Sequence, residues 1–317
     1  MKKTLLTICL VWMCFSLSAQ KIIDLSGKWS FSIDRQDNGE KEKWFSHTLN
    51  DFINLPGSMP EKLKGDEVTA KTQWTGSLYD SSYYYNPYME KYRKEGNIKF
   101  PFFLTPDKHY VGAAWYQKEV NIPADWKGER ILLFLERPHI ETTVWVNGQK
   151  TGMQNSLCVP HQYDITHYVR PGKCTITIRV DNRIKEINVG PDSHSITDQT
   201  QGNWNGIVGR ICLQTTPKTY FDDIQIYPEP EQKLARVKVV IKGTGTAKVK
   251  LSAESFNTDK KHIVPAIQQE IKLNKGVTET EMVLPMGNDM LLWDEFHPAL
   301  YKLKAEVTNG KKTEIKE

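Results

Sequence analysis

The stretch 195–210, SITDQTQGNWNGIVGR, concentrates hydrogen-bonding side chains around one aromatic ring. One carboxylate and four amides flank Trp204: Asp198, Gln199, Gln201, Asn203 and Asn205. Amides donate and accept hydrogen bonds, a carboxylate accepts them, and an indole offers a flat face with one donor. A strand disfavours such amides and a solvated loop does not need the tryptophan, so the pattern favours a binding loop. The alternative is that Trp204 packs in a core while the amides tie the loop down.

Two further polar residues near this stretch are candidates for ligand contact. Asn182 follows a predicted strand within the triplet Asp181-Asn182-Arg183, and His194 lies in a loop between two serines. Asp and Asn are also common turn residues at strand ends, and a loop histidine can simply be solvated. The residues alone leave both interpretations open.

The residue pattern argues against a metal site or a phosphate site. None of the eight histidines shows HxH or HExxH spacing, and His161 and His167 lie six residues apart in a predicted loop. No glycine-rich phosphate loop, Gly-x-Ser-x-Gly elbow or recognisable Cys–His pairing occurs. We therefore predict no cofactor and no metal.

Length and composition indicate a globular protein of more than one domain. The chain has 317 residues, which exceeds what one core usually supports. Hydrophobic residues make up 39% and charged residues 25%, both ordinary values for globular proteins. The formal net charge is +4, of which Lys2 and Lys3 contribute two. This balance gives no reason to expect nucleic acid or an anionic membrane as a partner.

Residues 1–19, MKKTLLTICLVWMCFSLSA, have the pattern of a secretory signal peptide. Lys2 and Lys3 precede an apolar stretch over 5–17 that is too short for a stable membrane span. Cleavage after Ala19 would leave Gln20 as the first residue. We expect secretion to the periplasm or the extracellular space, and no later segment is long and apolar enough for a membrane helix.

Three cysteines remain beyond the signal peptide: Cys158, Cys174 and Cys212. Their number and spacing match no disulfide framework or zinc ribbon. We expect them to be small buried apolar residues. One disulfide among them is the alternative in an oxidising compartment.

The chain has strand patterns almost throughout and no convincing helix of several turns. The segment 173–182 alternates apolar and polar residues, which predicts a half-buried strand. The continuous apolar run in 130–138 predicts a strand that is covered on both faces. The pair Asn147-Gly148 suits the positive φ angles of a two-residue hairpin.

The strand pattern changes near Pro217. Before it, strands are separated by long loops with aromatic residues and glycines; after it, strands are short and regularly spaced. We predict an all-β protein with a jelly-roll-type β-sandwich over 20–217 and a smaller β-sandwich over 218–317. The block 74–111 is predicted to be a long insertion in the first domain, and loops of that length are more often functional than idle.

Aromatic residues crowd this insertion: Tyr79, Tyr83, Tyr84, Tyr85, Tyr88, Tyr92, Phe100, Phe102 and Phe103. Exposed aromatic rings at this density would form a platform for sugars or an interface. The alternative is that the insertion folds on itself and the rings form a satellite core.

A series of short motifs runs along the chain in this order: Leu25-SGKWSF, Leu55-PG, Trp115-YQKEVNIP, Val144-WVNG, Pro160-HQYDITHYVRPG, Ile176-TIRVDN and Gly202-NWNGIVGRICL. Together they resemble the sugar-binding N-terminal domain of glycoside hydrolase family 2, which includes β-galactosidases, β-glucuronidases and β-mannosidases. Leu292-WDEFHPALYKL resembles the signature that ends the family's immunoglobulin-like second domain. The resemblance covers essentially the whole mature chain.

The resemblance implies that catalysis belongs to a different domain. In this family the general acid and the nucleophile are two glutamates on a third domain, a (β/α)₈ barrel, and the acid stands in an Asn-Glu pair. The present sequence has no Asn-Glu pair and reaches Glu317 where the barrel would begin; a barrel takes about 250 residues. Because a retaining glycosidase needs two carboxyl groups, we assign no catalytic residue and expect this chain alone to be inactive.

The resemblance also implies a ligand for the amide-rich stretch, since the family's first domain contributes loop residues to the edge of the active site. Amides suit sugar hydroxyls, and a tryptophan stacks on a pyranose ring. The predicted contacts to a terminal sugar are Asp198, Gln199, Asn203, Trp204, Asn205, Asn182 and His194. Family members with a subsite aspartate place it just before the tryptophan, where this sequence has Gly202 and Asn203; this difference weakens a β-galactosidase assignment.

Two functions of different class fit these patterns. The first is the non-catalytic N-terminal portion of a secreted retaining exo-glycosidase that hydrolyses O-glycosyl bonds, with a carbohydrate and a barrel domain of the same polypeptide as partners. The second is a stand-alone carbohydrate- or protein-binding β-sandwich module without catalysis. The length of the native polypeptide distinguishes them. The sequence indicates neither the sugar and its linkage nor an oligomeric state.

Overall fold

A computed structural model describes residues 21–76, 81–101, 104–185, 197–198 and 200–317. These residues form mainly strands, so the all-β prediction is confirmed. They divide into two compact units, 21–215 and 216–317. Within the described ranges, no helix has the length and apolar character needed to cross a membrane.

The strands of the first unit are β1 Ile22–Asp24, β2 Gly27–Asp34, β3 Asp51–Leu55, β4 Gly57–Ser58, β5 Asp66–Glu67, β6 Lys108–His109, β7 Ala113–Ile122, β8 Arg130–His139, β9 Glu141–Val146, β10 Gln149–Asn155, β11 His161–Asp164, β12 Gly172–Asp181 and β13 Gly206–Thr216. Its helical turns are α1 Ser82–Tyr85 and the 3₁₀ segments Trp44–Ser46, Pro87–Tyr92 and Ala124–Trp126. One sheet has the order β1-β13-β8-β11 with β4 beside β13, and the second has the order β10-β9-β12-β7-β2-β3.

The core of the first unit lies between these two sheets. Trp29, Phe31 and Ile178 of the second sheet pack with Leu133 and Leu213 of the first, and none is more than 1% exposed. Burying each such side chain stabilises the fold by about 1.5–3 kcal/mol. The alternating apolar residues of 174–180 point into this core, as their spacing predicts.

The opposite face of β12 is covered as well, so the prediction of a half-buried strand is wrong on that side. Arg179 and Asp181 are buried there. The segment before β3 lies over this face, where Phe45 stacks on Trp145 with ring centroids 5.2 Å apart. Trp115 lies next to Trp145 at 4.9 Å. These rings form a second, smaller apolar cluster outside the sandwich.

The predicted hairpin at Asn147-Gly148 is confirmed. The two residues connect β9 to β10 with φ angles of 49° and 77°. The Asn147 side chain also ties the turn to its surroundings, because its amide donates to the Tyr168 carbonyl and its oxygen accepts from the Thr175 N–H.

A close backbone approach joins β13 to β4 at Gly206. Its φ is 148°, and a Cβ at this position would lie 2.4 Å from the Gly57 carbonyl oxygen and 2.8 Å from the Cα of Ser58. Only glycine fits both the backbone angle and the space. The start of β13 is therefore fixed directly after the amide-rich stretch.

The insertion 74–111 contains both buried and exposed aromatic residues. Tyr83 and Phe100 are buried and stack with ring centroids 4.4 Å apart, so the satellite core is confirmed for them. Three tyrosines of the same insertion are exposed: Tyr84, Tyr85 and Tyr88. Three further aromatic residues of the insertion lie outside the described residues: Tyr79, Phe102 and Phe103.

The second unit contains β14 Tyr220–Glu229, the 3₁₀ turn Pro230–Gln232, β15 Leu234–Phe256, β16 Ile263–Pro285, β17 Leu300–Asn309 and β18 Lys312–Lys316. β15 and β16 each have 23 residues and pair along nearly their whole length. β14 pairs with the first half of β15, and β17 pairs with the second half. The long β15–β16 hairpin therefore joins all the strands of the second unit into one five-stranded sheet, and the all-β prediction is confirmed for this unit.

Glycines allow this long hairpin to bend. Gly243 of β15 lies opposite Gly276 of β16, with φ angles of 157° and 97°. A Cβ on Gly243 would lie 2.6 Å from Thr219 Oγ1. Apolar residues on both sides of the bend, such as Val239 and Leu251, then share one core.

The three cysteines among the described residues, Cys158, Cys174 and Cys212, are free. Cys174 and Cys212 are buried as expected, and burial raises the pKa of the Cys174 thiol to about 11. Cys158 is exposed, so the expectation that it is buried is wrong.

We expect Gly206→Ala to lower the free energy of unfolding by about 2 kcal/mol or more, because the added methyl group meets the β4 backbone. Gly172→Ala is the matched control, since Gly172 also has a positive φ, 109°, but an added methyl group there would meet no atom within 4 Å. Denaturant unfolding followed by tryptophan fluorescence measures both. Equal losses for the two variants would contradict the close approach.

Candidate functional site

The predicted site residues collect at one end of the first unit. Asn182 directly follows β12, and the segment 197–205 leads into β13. Asn182, Asp198, Asn203 and Asn205 are buried, and Trp204 is partly buried. Two of the predicted residues lie outside the described residues: His194 and Gln199.

Asp198 connects three segments that are distant in sequence. One carboxylate oxygen accepts from the Thr75 N–H at 2.5 Å and lies 3.3 Å from His109 Nε2. The other oxygen accepts from the Asn203 N–H at 2.6 Å. The Asp198 N–H donates in turn to the Thr75 carbonyl oxygen. These contacts give the Asp198 carboxylate a positioning role.

Asn182 and Asn203 continue this network through their amides. Asn182 donates to the Tyr110 carbonyl oxygen at 2.8 Å and to Asn203 Oδ1 at 3.0 Å, and it accepts from the Gly112 N–H. Asn203 donates to Thr75 Oγ1 and to the Asn182 carbonyl oxygen, both at 3.0 Å. The two side chains therefore hold the segments 110–112 and 197–205 together.

Asn205 is directed entirely into the protein. Its amide donates to the carbonyl oxygens of Gly112 and Val180, each at 2.9 Å, and its oxygen accepts from the Tyr116 hydroxyl at 2.7 Å. Burial raises the pKa of Tyr116 well above its ordinary value, so the hydroxyl stays a donor. The described geometry gives these amides a positioning role, and their contact with a sugar stays a prediction.

Trp204 stacks on His139, a residue that the sequence analysis missed. Their ring centroids are 4.6 Å apart with an interplanar angle of 26°. His139 Nδ1 lies 2.8 Å from the Trp204 carbonyl oxygen and must donate to it, because a carbonyl only accepts. Burial lowers the pKa of His139 from 6.5 to about 4. In the neutral ring Nε2 is then a hydrogen-bond acceptor, on a side chain that is 6% exposed.

A network of charged side chains fixes the chain where it leaves β12. Arg179 Nη2 lies 2.6 Å from Asp37 and 3.0 Å from Asp181. Arg183 and Lys185 reach the same Asp181 oxygen at 2.6 and 2.8 Å. Because Asp37 belongs to the segment that covers the outer face of β12, this network also joins that cover to the site.

The buried carboxylate at the centre of the network is stabilised in its charged form. Burial alone would raise the pKa of Asp181, but hydrogen bonds from Arg183 and Lys185 and the charge of Arg179 hold the pKa well below its usual value. Glu141 of β9 adds a second anion, 2.9 Å from Lys185. Breaking such a buried network leaves an uncompensated charge, so the position of Asn182 depends on it.

The site is therefore a rigid set of loops with two groups suited to ligand contact: the Trp204 ring and His139 Nε2. An aromatic face and a hydrogen-bond acceptor are groups that bind a hydroxylated ring. In the part of the chain that the structure describes, no three His, Cys, Asp or Glu residues are grouped to hold a metal ion.

The buried His139 should make stability depend on pH. Its pKa is lower in the folded state than the ordinary 6.5, so the unfolded state binds more protons between pH 6.5 and 4 and stability falls as pH decreases through this range. We expect His139 to account for about 2 kcal/mol of loss between pH 8 and pH 5. Unfolding of the wild-type protein and His139→Gln at both pH values measures this, and parallel losses in the two proteins would contradict it.

Solved structures share this fold. The β-glucuronidase of an uncultured Clostridium species superposes with a TM-score of 0.59 at 20% identity, over 94% of this chain and 44% of that chain. The β-glucuronidase of Ruminococcus gnavus superposes with a TM-score of 0.58 at 18% identity, over the same shares of the two chains.

Sequence relatives are glycosidases that are much longer than this chain. Human β-glucuronidase is 24% identical over 90% of this chain and 41% of its own length. The β-glucuronidase of Paenibacillus borealis is 24% identical over 92% of this chain and 43% of its own length. A β-galactosidase of Clostridium acetobutylicum is 24% identical over 88% of this chain and 28% of its own length. The chain thus spans less than half the length of these relatives.

Two family models match nearly the whole described chain. The model for the sugar binding domain of glycosyl hydrolases family 2 matches residues 22–217. A second model, for glycosyl hydrolases family 2, matches residues 219–317. The resemblance drawn from the sequence motifs is thereby confirmed, and the chain belongs to glycosyl hydrolases family 2.

Proposed function

We propose that this chain is the non-catalytic N-terminal portion of a secreted retaining exo-glycosidase that hydrolyses O-glycosyl bonds. The observation that carries the proposal is the match of two consecutive family models to residues 22–217 and 219–317, within less than half the length of β-glucuronidase relatives. The signal-peptide pattern of residues 1–19 supports secretion.

In this proposal the present chain helps to position the sugar, and another domain carries out the chemistry. A retaining glycosidase places two carboxyl groups about 5–5.5 Å apart, one as acid and base and the other as nucleophile. Asp198, a carboxylate in the loop that carries Trp204, is buried and accepts hydrogen bonds from Thr75 and Asn203. In this proposal a barrel domain supplies both catalytic carboxyl groups, and the present chain contributes rigid loops to the edge of the sugar site.

Within those loops, Trp204 and His139 are the proposed sugar contacts. The Trp204 ring is only partly buried and is held by stacking on His139. The Nε2 atom of His139 would accept from a sugar hydroxyl. Asp198 and Asn203 support the subsite by pinning the loop. Contacts from Gln199 and His194 stay predictions.

An apolar loop in the second unit supports a further domain as partner. Trp293 and Phe296 are 60% and 81% exposed, and Leu292 is exposed beside them. Large exposed apolar groups of this kind mark interaction surfaces. We name the segment 291–298 the apolar loop and propose that it contacts the domain that follows in the longer relatives.

The apolar loop is held in shape by the protein itself. Asp294 Oδ1 accepts from the N–H groups of Phe296 and His297, each at 2.8 Å. A bridge joins Trp293 to Pro298, and the Leu291 N–H donates to the Tyr301 hydroxyl. A preorganised loop loses little conformational entropy when a partner covers it.

The first test concerns catalysis. Purified 20–317 should hydrolyse none of a panel of nitrophenyl glycosides, because the two catalytic carboxyl groups belong to another domain in this proposal. Hydrolysis above a heat-inactivated control that survives repurification would refute it.

The mass of the native polypeptide is the companion measurement. A product longer by a barrel of about 250 residues supports the glycosidase, and one ending near Glu317 supports a stand-alone binding module.

The second test concerns the apolar loop. The double variant Trp293→Ala/Phe296→Ala should leave the Tm of 20–317 within about 2 °C, because exposed side chains contribute little to stability. In the longer polypeptide the same variant should lower the Tm of the catalytic domain by about 4 °C or more, as an interface core is lost. Tyr227→Ala, at another exposed aromatic residue of the second unit, is the matched control. Equal effects of the variant on both polypeptides would refute the contact.

A further inference from the structure

The exposed tyrosines of the insertion form a distinct surface on the first unit. Tyr85 and Tyr88 are 72% and 86% exposed, and Tyr84 is exposed beside them. They lie within four residues of one another along α1 and the following 3₁₀ segment. We name Tyr84, Tyr85 and Tyr88 the tyrosine surface.

This surface is presented by an ordered support. Asn86 caps the 3₁₀ segment by accepting from the Tyr88 N–H at 2.9 Å, and Pro87 occupies the first helical position. Beneath it, the Tyr83 hydroxyl donates to the Tyr92 carbonyl oxygen at 2.9 Å. Hydrogen bonds within the insertion therefore hold the backbone that carries the exposed rings.

The periodicity of the 3₁₀ segment separates a core row from a solvent row. Side chains three residues apart in a 3₁₀ helix lie on one line. Met89 and Tyr92 form the row that packs on the satellite core. Tyr88 and Lys91 form the neighbouring row, and both are exposed. The Lys91 ammonium lies over the neighbouring Tyr92 ring, 4.9 Å from its centroid.

Two lysines near the tyrosine surface, Lys71 and Lys91, have no acidic partner among the described residues. Lys91 lies on the Tyr88 row, and Lys71 adjoins Ala70, whose carbonyl oxygen accepts from the Tyr84 hydroxyl. Neither lysine forms an ion pair within the described ranges, whereas the nearby Lys94 pairs with Glu90 at 3.2 Å. Cations without an ion pair in the described ranges, next to aromatic rings, attract an anion that also has partly apolar ring faces.

We propose that the tyrosine surface, with Lys71 and Lys91, binds an anionic polysaccharide whose pyranose rings carry carboxylate or sulfate groups. The apolar faces of the rings stack on the tyrosines, the tyrosine hydroxyls bond to sugar hydroxyls, and the lysines pair with the anionic groups. A neutral glycan would leave the two cations unused. The inference does not depend on the proposed glycosidase, because every residue involved lies in 70–92.

The test is affinity electrophoresis of purified 20–317 in gels that contain polygalacturonate, chondroitin sulfate or neutral dextran. We expect retardation by at least one of the two polyanions and not by dextran; polygalacturonate alone indicates carboxylate recognition, and chondroitin sulfate alone indicates sulfate recognition. Tyr85→Ala and Tyr88→Ala should each weaken binding about fivefold or more. Raising NaCl from about 0.05 to about 0.5 M should weaken it about tenfold.

Control variants distinguish binding at the tyrosine surface from unspecific electrostatic attraction. Tyr227→Ala, 45% exposed in the second unit, should bind like the wild-type protein, and Lys71→Gln/Lys91→Gln should lose the preference for polyanions over dextran. Unchanged Tm values confirm that the variants are folded. The proposal is overturned if neither polyanion retards the protein, if Tyr85→Ala/Tyr88→Ala binds undiminished, or if a dT oligonucleotide binds as tightly as the polysaccharides.

Discussion

The hydrogen bonds of the buried Asp198 carboxylate determine how the loops at the candidate site are arranged. A buried polar group left without partners costs about 1–3 kcal/mol, and a buried charge costs more. Asp198 avoids this cost because it accepts hydrogen bonds from the N–H groups of Thr75 and Asn203 and contacts His109. Segments that are far apart in the chain must therefore come together before the carboxylate can be buried. The Asn182–Asn203 amide pair extends the same arrangement to the end of β12.

The sequence predicted those features of the fold that depend on a pattern of neighbouring residues in the chain. The alternation over 174–180 and the Asn147-Gly148 turn depend on neighbours in the chain, and both are present. The cover over the outer face of β12 could not be predicted in this way, because Phe45 and Trp145 are distant in the chain and meet only in the fold. The sequence pattern after Pro217 predicted short strands, which is wrong for β15 and β16, since each has 23 residues. One ladder runs through Gly243, because glycine accommodates the bend.

The sequence predicted which residue types the candidate site contains better than it predicted what each residue binds. A carboxylate and amides near a tryptophan identify a segment with many hydrogen bonds, but the same groups serve a ligand or a backbone equally well. Asn205 is an example: the sequence predicted a sugar contact, whereas its described hydrogen bonds all go to protein groups. His139 has no sequence signal, because its relation to Trp204 arises only when the end of β8 lies close to the segment before β13. The charged network around Asp181 likewise requires residues from distant segments.

The bent hairpin of the second unit has a consequence for how that unit assembles. Pairing starts beside the turn, where Glu254 faces Ile263, and reaches Leu234 opposite Pro285 at the far end. Each step closes only a slightly larger loop than the one before, which makes the ladder a local and fast structure to form. Once it passes Gly243, the same two strands offer an edge to β17 on one side of the bend and to β14 on the other. The two halves of the unit thus grow from a single template, and neither can separate without disrupting the strands of the other.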